Sequence, residues 1–315
     1  MVDISANNNC QGEYLLSVLL PVLNGGETIS DAIDSLIEQD FKNFEILIID
    51  GGSKDDTLSI IEEYMSRDSR IKLFKKDAGL GESLNFLLSM TSAKYCARMD
   101  ADDISLPTRF SSQIELLEAR DDIVLTGTQI SYFSCDNVIT RTPYSCDHYK
   151  ILDDLEQGIF SLAHPSIMFR TADAKYVGGY RETEVGEDLQ FFLDLTQRGK
   201  LANTSDVGLL YRYAPGSLTS DPQKAERIEM LYAYTLKKWH SKNDSLTFKE
   251  FSYEWNNRPI LKKATSWFKR KGDFLHLKFI VLNQKKPFKS YVFLFLSVMC
   301  KPDAAVRHLK RRVLG

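Results

Sequence analysis

The 315-residue chain lacks most of the features that would set it apart from ordinary globular proteins. Its five cysteines (Cys10, Cys96, Cys135, Cys146, Cys300) are odd in number, scattered, and contain no CxxC pair. A disulfide framework or zinc site is therefore not expected, and a reducing compartment is. Long apolar runs are also missing. The longest, Tyr291–Cys300 between Lys289 and Lys301, is about half of what a spanning helix needs. The opening MVDISANNNCQGEY has neither the basic start nor the apolar core of a signal peptide, which points to the cytoplasm. A hydrophobic content of 43% excludes a disordered chain, and no collagen-like repeat is present.

Charge is present but unevenly placed. The total of 40 Lys+Arg against 43 Asp+Glu gives −3. Residues 255–315 hold fifteen of the basic residues and only two acids, Asp273 and Asp303, a net of +13 that leaves −16 on residues 1–254. In this basic stretch Trp267, Phe268, Phe274, Phe279, Phe288, Tyr291 and Phe293 interleave with Lys269, Arg270, Lys271, Lys278, Lys285, Lys286 and Lys289. The pattern fits helices lying on an anionic bilayer surface. A packed helical appendage with solvated lysines is the plainer reading. No helix-turn-helix, RNA-recognition or zinc-finger pattern accompanies the charge, so nucleic acid is not an expected partner.

The apolar runs Leu15–Leu23, Phe44–Ile49, Ile71–Phe74 and Tyr95–Met99 read as buried parallel strands. Between them, helical spacing covers Thr28–Gln39 (with Thr28 as the cap), a segment through Ile60, Ile61 and Tyr64, and Leu80–Met90. This alternation predicts an α/β fold with a mostly parallel, doubly wound sheet, whose ligands bind beyond the carboxyl ends of the strands. Asn24, Asp50, Asp77 and Asp100 fall at those ends. Further on, a helix is expected over Arg109–Ala119 and strands over Ile123–Phe133, Asn137–Thr142 and Ala163–Arg170. A helix over Gly186–Arg198, a strand over Asp206–Tyr213 and an all-helical region from Asp221 complete the expectation. The domains divide accordingly, 1–220 as the α/β domain and 221–315 as the basic helical region.

Two segments carry chemistry. Asp100-Ala101-Asp102-Asp103 follows a strand, and hard cations such as Mn2+ or Mg2+ bind one or two carboxylates together with substrate phosphates. A helix cap with an acidic first turn gives the same pattern. Asp50-Gly51-Gly52-Ser53 ends the second strand, where Asp50 can accept hydrogen bonds from a base or ribose and the glycines let the backbone turn closely. The alternative is an ordinary loop whose Ser53 or Asp55 caps the next helix. There is no GxGxxG after the first strand and no GxxxxGK[ST], so dinucleotide and P-loop sites lack their phosphate cradle.

Seven segments together resemble the inverting family 2 glycosyltransferases of the GT-A fold, in particular bacterial members that build surface polysaccharides. They are LPVLN (20–24), IIDGGSKDDT (48–57), ARMDADDISLPTR (97–109), HPSIMFR (164–170), GGYRE (178–182), GEDLQFFLDLTQRG (186–199) and LLYRYAPGSLTS (209–220). The resemblance assigns Asp50 to the uracil of a UDP-sugar and Pro21, Asn24 and Glu27 to the loop lining the nucleoside. Asp100 is assigned to the ribose and metal-bound diphosphate and Asp102 to the metal, with Asp103 ranked lower as a capping partner. Arg98 is left between the diphosphate and a salt bridge to a neighbouring acid. Asp188, paired with Glu187, is implied as the general base. His164 is read as structural or acceptor-side. Relatives often carry His where this chain has Ala214, which leaves Arg212 and Ser217 as phosphate contacts and a third metal ligand unassigned. The QxxRW motif of processive synthases is missing, so single addition is expected.

The expected protein is thus a metal-dependent enzyme moving one hexose from a nucleotide sugar to a hydroxyl of a lipid-linked glycan in O-antigen or capsule synthesis. UDP is the expected nucleotide, with GDP and dTDP open. It would be peripheral on the inner face of the bacterial membrane, and nothing in the pattern specifies an oligomeric state. A non-catalytic nucleotide-sugar-binding or scaffold protein is the alternative; Ala214 favours it, whereas Asp102 and Asp188 oppose it. The protein should sediment with anionic vesicles at low salt. Binding that survives deletion of residues 255–315 would rule out the membrane role of the tail.

Overall fold

The computed structural model describes residues 14–134, 137–141, 144–156, 159–181, 186–212, 222–241 and 248–256. The first half alternates strand and helix as β1 (Leu16–Val22), α1 (Ile29–Ile37), β2 (Phe44–Asp50), α2 (Thr57–Arg67), β3 (Ile71–Lys75), α3 (Leu80–Met90) and β4 (Tyr95–Arg98). The second half adds β5 (Ile104–Ser105), α4 (Arg109–Ala119), β6 (Ile123–Ser134), β7 (Asn137–Arg141) and α5 (His148–Glu156). A 3₁₀ turn (His164–Ser166), β8 (Met168–Arg170), α6 (Thr171–Tyr176), α7 (Glu187–Leu195) and β9 (Lys200–Arg212) follow.

Eight strands of the sheet run in the order β3-β2-β1-β4-β8-β6-β9-β5. The chain winds outward from β1 to β2 and β3, then returns to place β4 on the opposite side of β1. All three pairings are parallel. Such a reversal opens a crevice at the strand ends, the ordinary ligand position of this architecture. Beyond β4 the sheet turns antiparallel through β8 and β6, and β5 pairs antiparallel with β9. Continuous apolar sequence is what a strand covered on both faces requires, and all seven positions of β2 are buried. Leu16, Val18 and Leu20 share a core with Ile29, Ala32, Ile33 and Leu36 of α1.

Buried glutamine fastens the helices to this frame. Gln39, fully enclosed just past α1, donates from Nε2 to the Leu106 carbonyl (2.7 Å) and Ser105 Oγ (3.1 Å) and accepts from the Phe110 amide (3.1 Å).

The expected elements are found with several differences, among them the short unexpected strand β5. Thr28 precedes α1 but makes no side-chain cap hydrogen bond. The strand expected over Ala163–Arg170 shortens to β8, because Pro165 has no amide to donate and the backbone closes a turn instead. Ser166 N bonds Ala163 O and Ile167 N bonds His164 O. The strand expected from Asp206 already begins at Lys200, and α5 and α6 were not foreseen.

Two compact units are distinguished, 1–132 with 141–212, and 133–140 with 213–315. In the second, α8 (Pro222–Ser241) and α9 (Phe248–Asn256) pack through Tyr234 and Phe251, ring centroids 5.6 Å apart. No helix among the described residues is long and apolar enough to cross a membrane. The basic stretch from 257 onward lies outside the described residues, as do Ala214 and Ser217.

Candidate active site

The loops after β1 and β2 are bonded to each other. Asp50, 2% exposed at the end of β2, accepts from the amides of Gly52 (2.9 Å) and Ser53 (3.1 Å). Asn24, in the left-handed region at φ +52°, donates its amide to Ser53 Oγ and accepts from Lys54 N through Oδ1, both at 2.8 Å. Ser53 is therefore engaged by Asn24. It is Asp55 that accepts from Thr57 N at the start of α2. Pro21 lies half-buried within β1 opposite Ile49, and Glu27 is exposed on the same loop as Asn24.

After β4 the chain delivers Asp100, Asp102 and Asp103, with one carboxylate oxygen of each lying within 4.8 Å of the others. No helix starts here, since β5 intervenes before α4, so the helix-cap reading of these aspartates does not apply. Asp103 is 1% exposed. Its Oδ1 accepts from Arg212 N (2.9 Å), while its buried Oδ2 has no hydrogen-bond partner. Burial, followed by the charges of Asp100 and Asp102, holds its pKa well above the usual carboxylate range. Asp102 is open to solvent on one side yet crowded by protein on the other. That partial desolvation and Asp100 raise its pKa as well. An orphaned buried oxygen and like charges in one small space fit a divalent cation, which oxygen ligands of this kind bind. Asp100 and Asp102 would hold it, with Asp103 beside them.

Three arginines surround the acids. Arg98, 2% exposed, sets Nη2 on Asp100 Oδ1 at 2.6 Å, so the salt bridge forms; Nε and Nη1 are buried without hydrogen-bond partners. Burial opposes its charge, but Asp100, Tyr180 and Glu187 more than offset this and its pKa is raised. Arg212 donates from Nε to the Asp102 carbonyl (2.6 Å) and from Nη2 to Asp31 Oδ2 (2.8 Å). Arg109, for which the sequence suggested no role, is completely buried. It donates from Nη2 to the carbonyls of Arg98 (2.7 Å) and Ile167 (3.3 Å). Burial brings its pKa down to about 9, with Asp103 opposing the shift.

Glu187 and Asp188 open α7, and Asp188 Oδ1 accepts from Leu189 N at 2.7 Å. Burial, then the charge of Asp188, pushes the Glu187 pKa up to about 7. His164 hydrogen-bonds the Tyr180 hydroxyl at 3.1 Å through Nε2, and its enclosure, with Arg98 nearby, lowers its pKa well below the usual value. The half-buried ring also packs edge-on to Phe192, centroids 6.0 Å apart.

Residues 17–178 match the family described as Glycosyl transferase family 2. An uncharacterized glycosyltransferase of Haemophilus influenzae is 31% identical over 233 residues, which cover 68% of this chain and 70% of that protein. The O-antigen biosynthesis glycosyltransferase WbnJ of Escherichia coli is 28% identical over 177 residues, 54% of this chain and 68% of its own. Among solved structures, S. aureus TarS 1-349 in complex with UDP-GlcNAc has a TM-score of 0.58 at 17% identity, covering 90% of this chain and 91% of that one. The Pyrobaculum calidifontis mannosyltransferase PcManGT, in complex with GDP-Man and Mn2+, gives 0.58 at 13% identity over 90% and 86%. The two structures share the fold. The chain belongs to glycosyltransferase family 2, and its acidic cluster is suited to metal-assisted transfer.

A carboxyl whose folded pKa is about 7 against an ordinary 4.5 binds more protons folded than unfolded between those values. Its contribution to stability is present below the lower value and is lost as pH rises through the upper one. Glu187→Gln should therefore flatten the stability profile across that window and exceed the wild type by about 2–3 kcal/mol near pH 8. Urea unfolding near pH 5 and near pH 8 measures this. Equal pH slopes for the two proteins would contradict the assignment.

Proposed function

We propose that this transferase moves a single hexose from a UDP-sugar, with inversion, to a hydroxyl of a lipid-linked glycan in bacterial surface-polysaccharide synthesis. The observation that carries the reading is the cluster of Asp100, Asp102 and Asp103 at the switch point of the sheet, in a chain that also opens α7 with a half-buried acid pair. Asp50 and Asn24 would bind the nucleoside, with Pro21 and Glu27 along the same edge. Asp100 and Asp102 would hold Mn2+ or Mg2+, and such an ion neutralises charge on the departing diphosphate. Arg98, with two nitrogens unengaged, and Arg212 would lie on the diphosphate side.

An acceptor hydroxyl is a weak nucleophile until its proton is removed. Its oxygen bonds to the anomeric carbon as the bond from that carbon to the diphosphate breaks, and the proton passes to Asp188. Glu187, its pKa pushed up to about 7 by burial and then by Asp188, is about half protonated near neutral pH. The similarity to an O-antigen glycosyltransferase supports the acceptor class, and a relative in fold bound to UDP-GlcNAc supports the donor. The basic segment 255–315 would keep the enzyme on the cytoplasmic membrane face where a lipid-linked acceptor resides.

A panel of nucleotide sugars, each added with Mn2+, should raise Tm most for the UDP-sugar that is the donor. With that donor Asp188→Asn should bind as the wild type does and lose about 10²- to 10⁴-fold in transfer. Transfer at the wild-type rate would move the base to Glu187 or elsewhere.

A further inference from the structure

α7 is fastened from outside its own first turn. The Tyr180 ring, itself fully buried, stacks on Phe191 with centroids 4.1 Å apart and planes 20° from parallel. Arg181 sets Nε and Nη2 on the two oxygens of buried Asp194 at 3.0 and 3.1 Å, and Gln190 Nε2 reaches the same carboxylate at 3.0 Å. Residues 180 and 181 thus grip α7 at two points along its length.

Their own position is set by α3. Asn85 Nδ2 donates to the Tyr180 carbonyl at 2.6 Å, and the Tyr180 amide donates to Asn85 Oδ1 at 2.8 Å. A carboxamide carries a donor and an acceptor side by side, so it satisfies both backbone groups of one residue as a neighbouring strand would. The contact leaves no slack. A Cβ on Gly179 would lie 2.3 Å from Asn85 Oδ1. One on Gly81 would lie 3.3 Å from the Arg181 carbonyl and 3.9 Å from Glu187 Cβ, so the first turn of α3 abuts the residue that opens α7.

We propose that Asn85 is a positioning residue for the base, its clamp on the Tyr180 backbone, next in the chain to Arg181, setting where α7 presents Glu187 and Asp188. The proposal rests on the reading of that pair as the catalytic base. Asn85 touches neither of the two directly. It acts through a rigid relay, and a misplacement of about 1 Å in a base can cost on the order of 10²-fold in rate.

The test compares Asn85→Ala with Gln39→Met. The latter leaves the buried amide of Phe110 without its Gln39 acceptor and so weakens the fold elsewhere. Amide exchange at Tyr180 and in α7 from Gln190 onward should quicken at least about tenfold in Asn85→Ala but not in Gln39→Met. In Mn2+-dependent UDP release from UDP-glucose, UDP-galactose and UDP-N-acetylglucosamine, kcat should fall about 10- to 100-fold in Asn85→Ala with KM nearly unchanged. Gln39→Met should keep the wild-type kcat. Asn85→Asp, which keeps the acceptor for the Tyr180 amide and loses the donor, should fall between. Unchanged exchange in α7, or faster exchange with wild-type kcat, overturns the proposal. Asp188→Asn measured alongside separates the two claims: persistent release there removes the base assignment, whereas loss there with a fully active Asn85→Ala removes only the clamp.

Discussion

Three carboxylates with oxygens inside 4.8 Å of one another repel strongly, the more so because Asp103 is withdrawn from water. Much of the surrounding structure answers that repulsion. Arg98 pairs with Asp100, Arg212 donates to Asp103 and to the Asp102 carbonyl, and Arg109 supports the Arg98 backbone from below. Two of these arginines are buried cations, which are costly unless charge and hydrogen bonds compensate them. The acids compensate the arginines and the arginines hold the acids. The compensation is incomplete, because Asp103 Oδ2 and the Nε and Nη1 nitrogens of Arg98 remain unpartnered. An assembly left in that state is organised to receive a charged ligand, in keeping with a family that transfers sugars.

The sheet gives this cluster its location. Because β4 returns to the opposite side of β1 from β2, the ends of β1, β2 and β4 open on one crevice. Asp50 and Asn24 lie at the first two strand ends, the acidic loop at the third. Cross-bonds from Asn24 to Ser53 and Lys54 join the first two loops. The antiparallel half adds β9, whose last residue, Arg212, returns to the acidic loop. α7 contributes Glu187 and Asp188, the pair proposed above as the base.

Much of this was legible in the sequence, for physical reasons. Strands buried on both faces are continuous apolar runs, so β1 to β4 and the acids at their ends could be read directly. The strand over Ala163–Arg170 was misread because its apolar content masked the effect of Pro165. β9 was read short because Lys200–Ser205 is not a continuous apolar run. Arg109, Gln39 and Asn85 carried no local signal. Each looks like one polar residue on a helix, and its meaning lies in partners up to 95 positions away, as for Asn85 and Tyr180. The Arg98–Asp100 pair, by contrast, was foreseen as one of two readings because its partner is two residues distant.

A divalent-cation site at the crowded acids, serving the nucleotide, is the central requirement of the proposed chemistry. Mn2+ binding, followed by loss of the free-ion electron paramagnetic resonance signal with UDP present, tests it without requiring the acceptor. Wild-type protein should take up one Mn2+ per chain, and Asp102→Asn should bind at least about tenfold more weakly while remaining folded. Equal Mn2+ affinity in the two proteins, or no uptake by the wild type, would contradict the account.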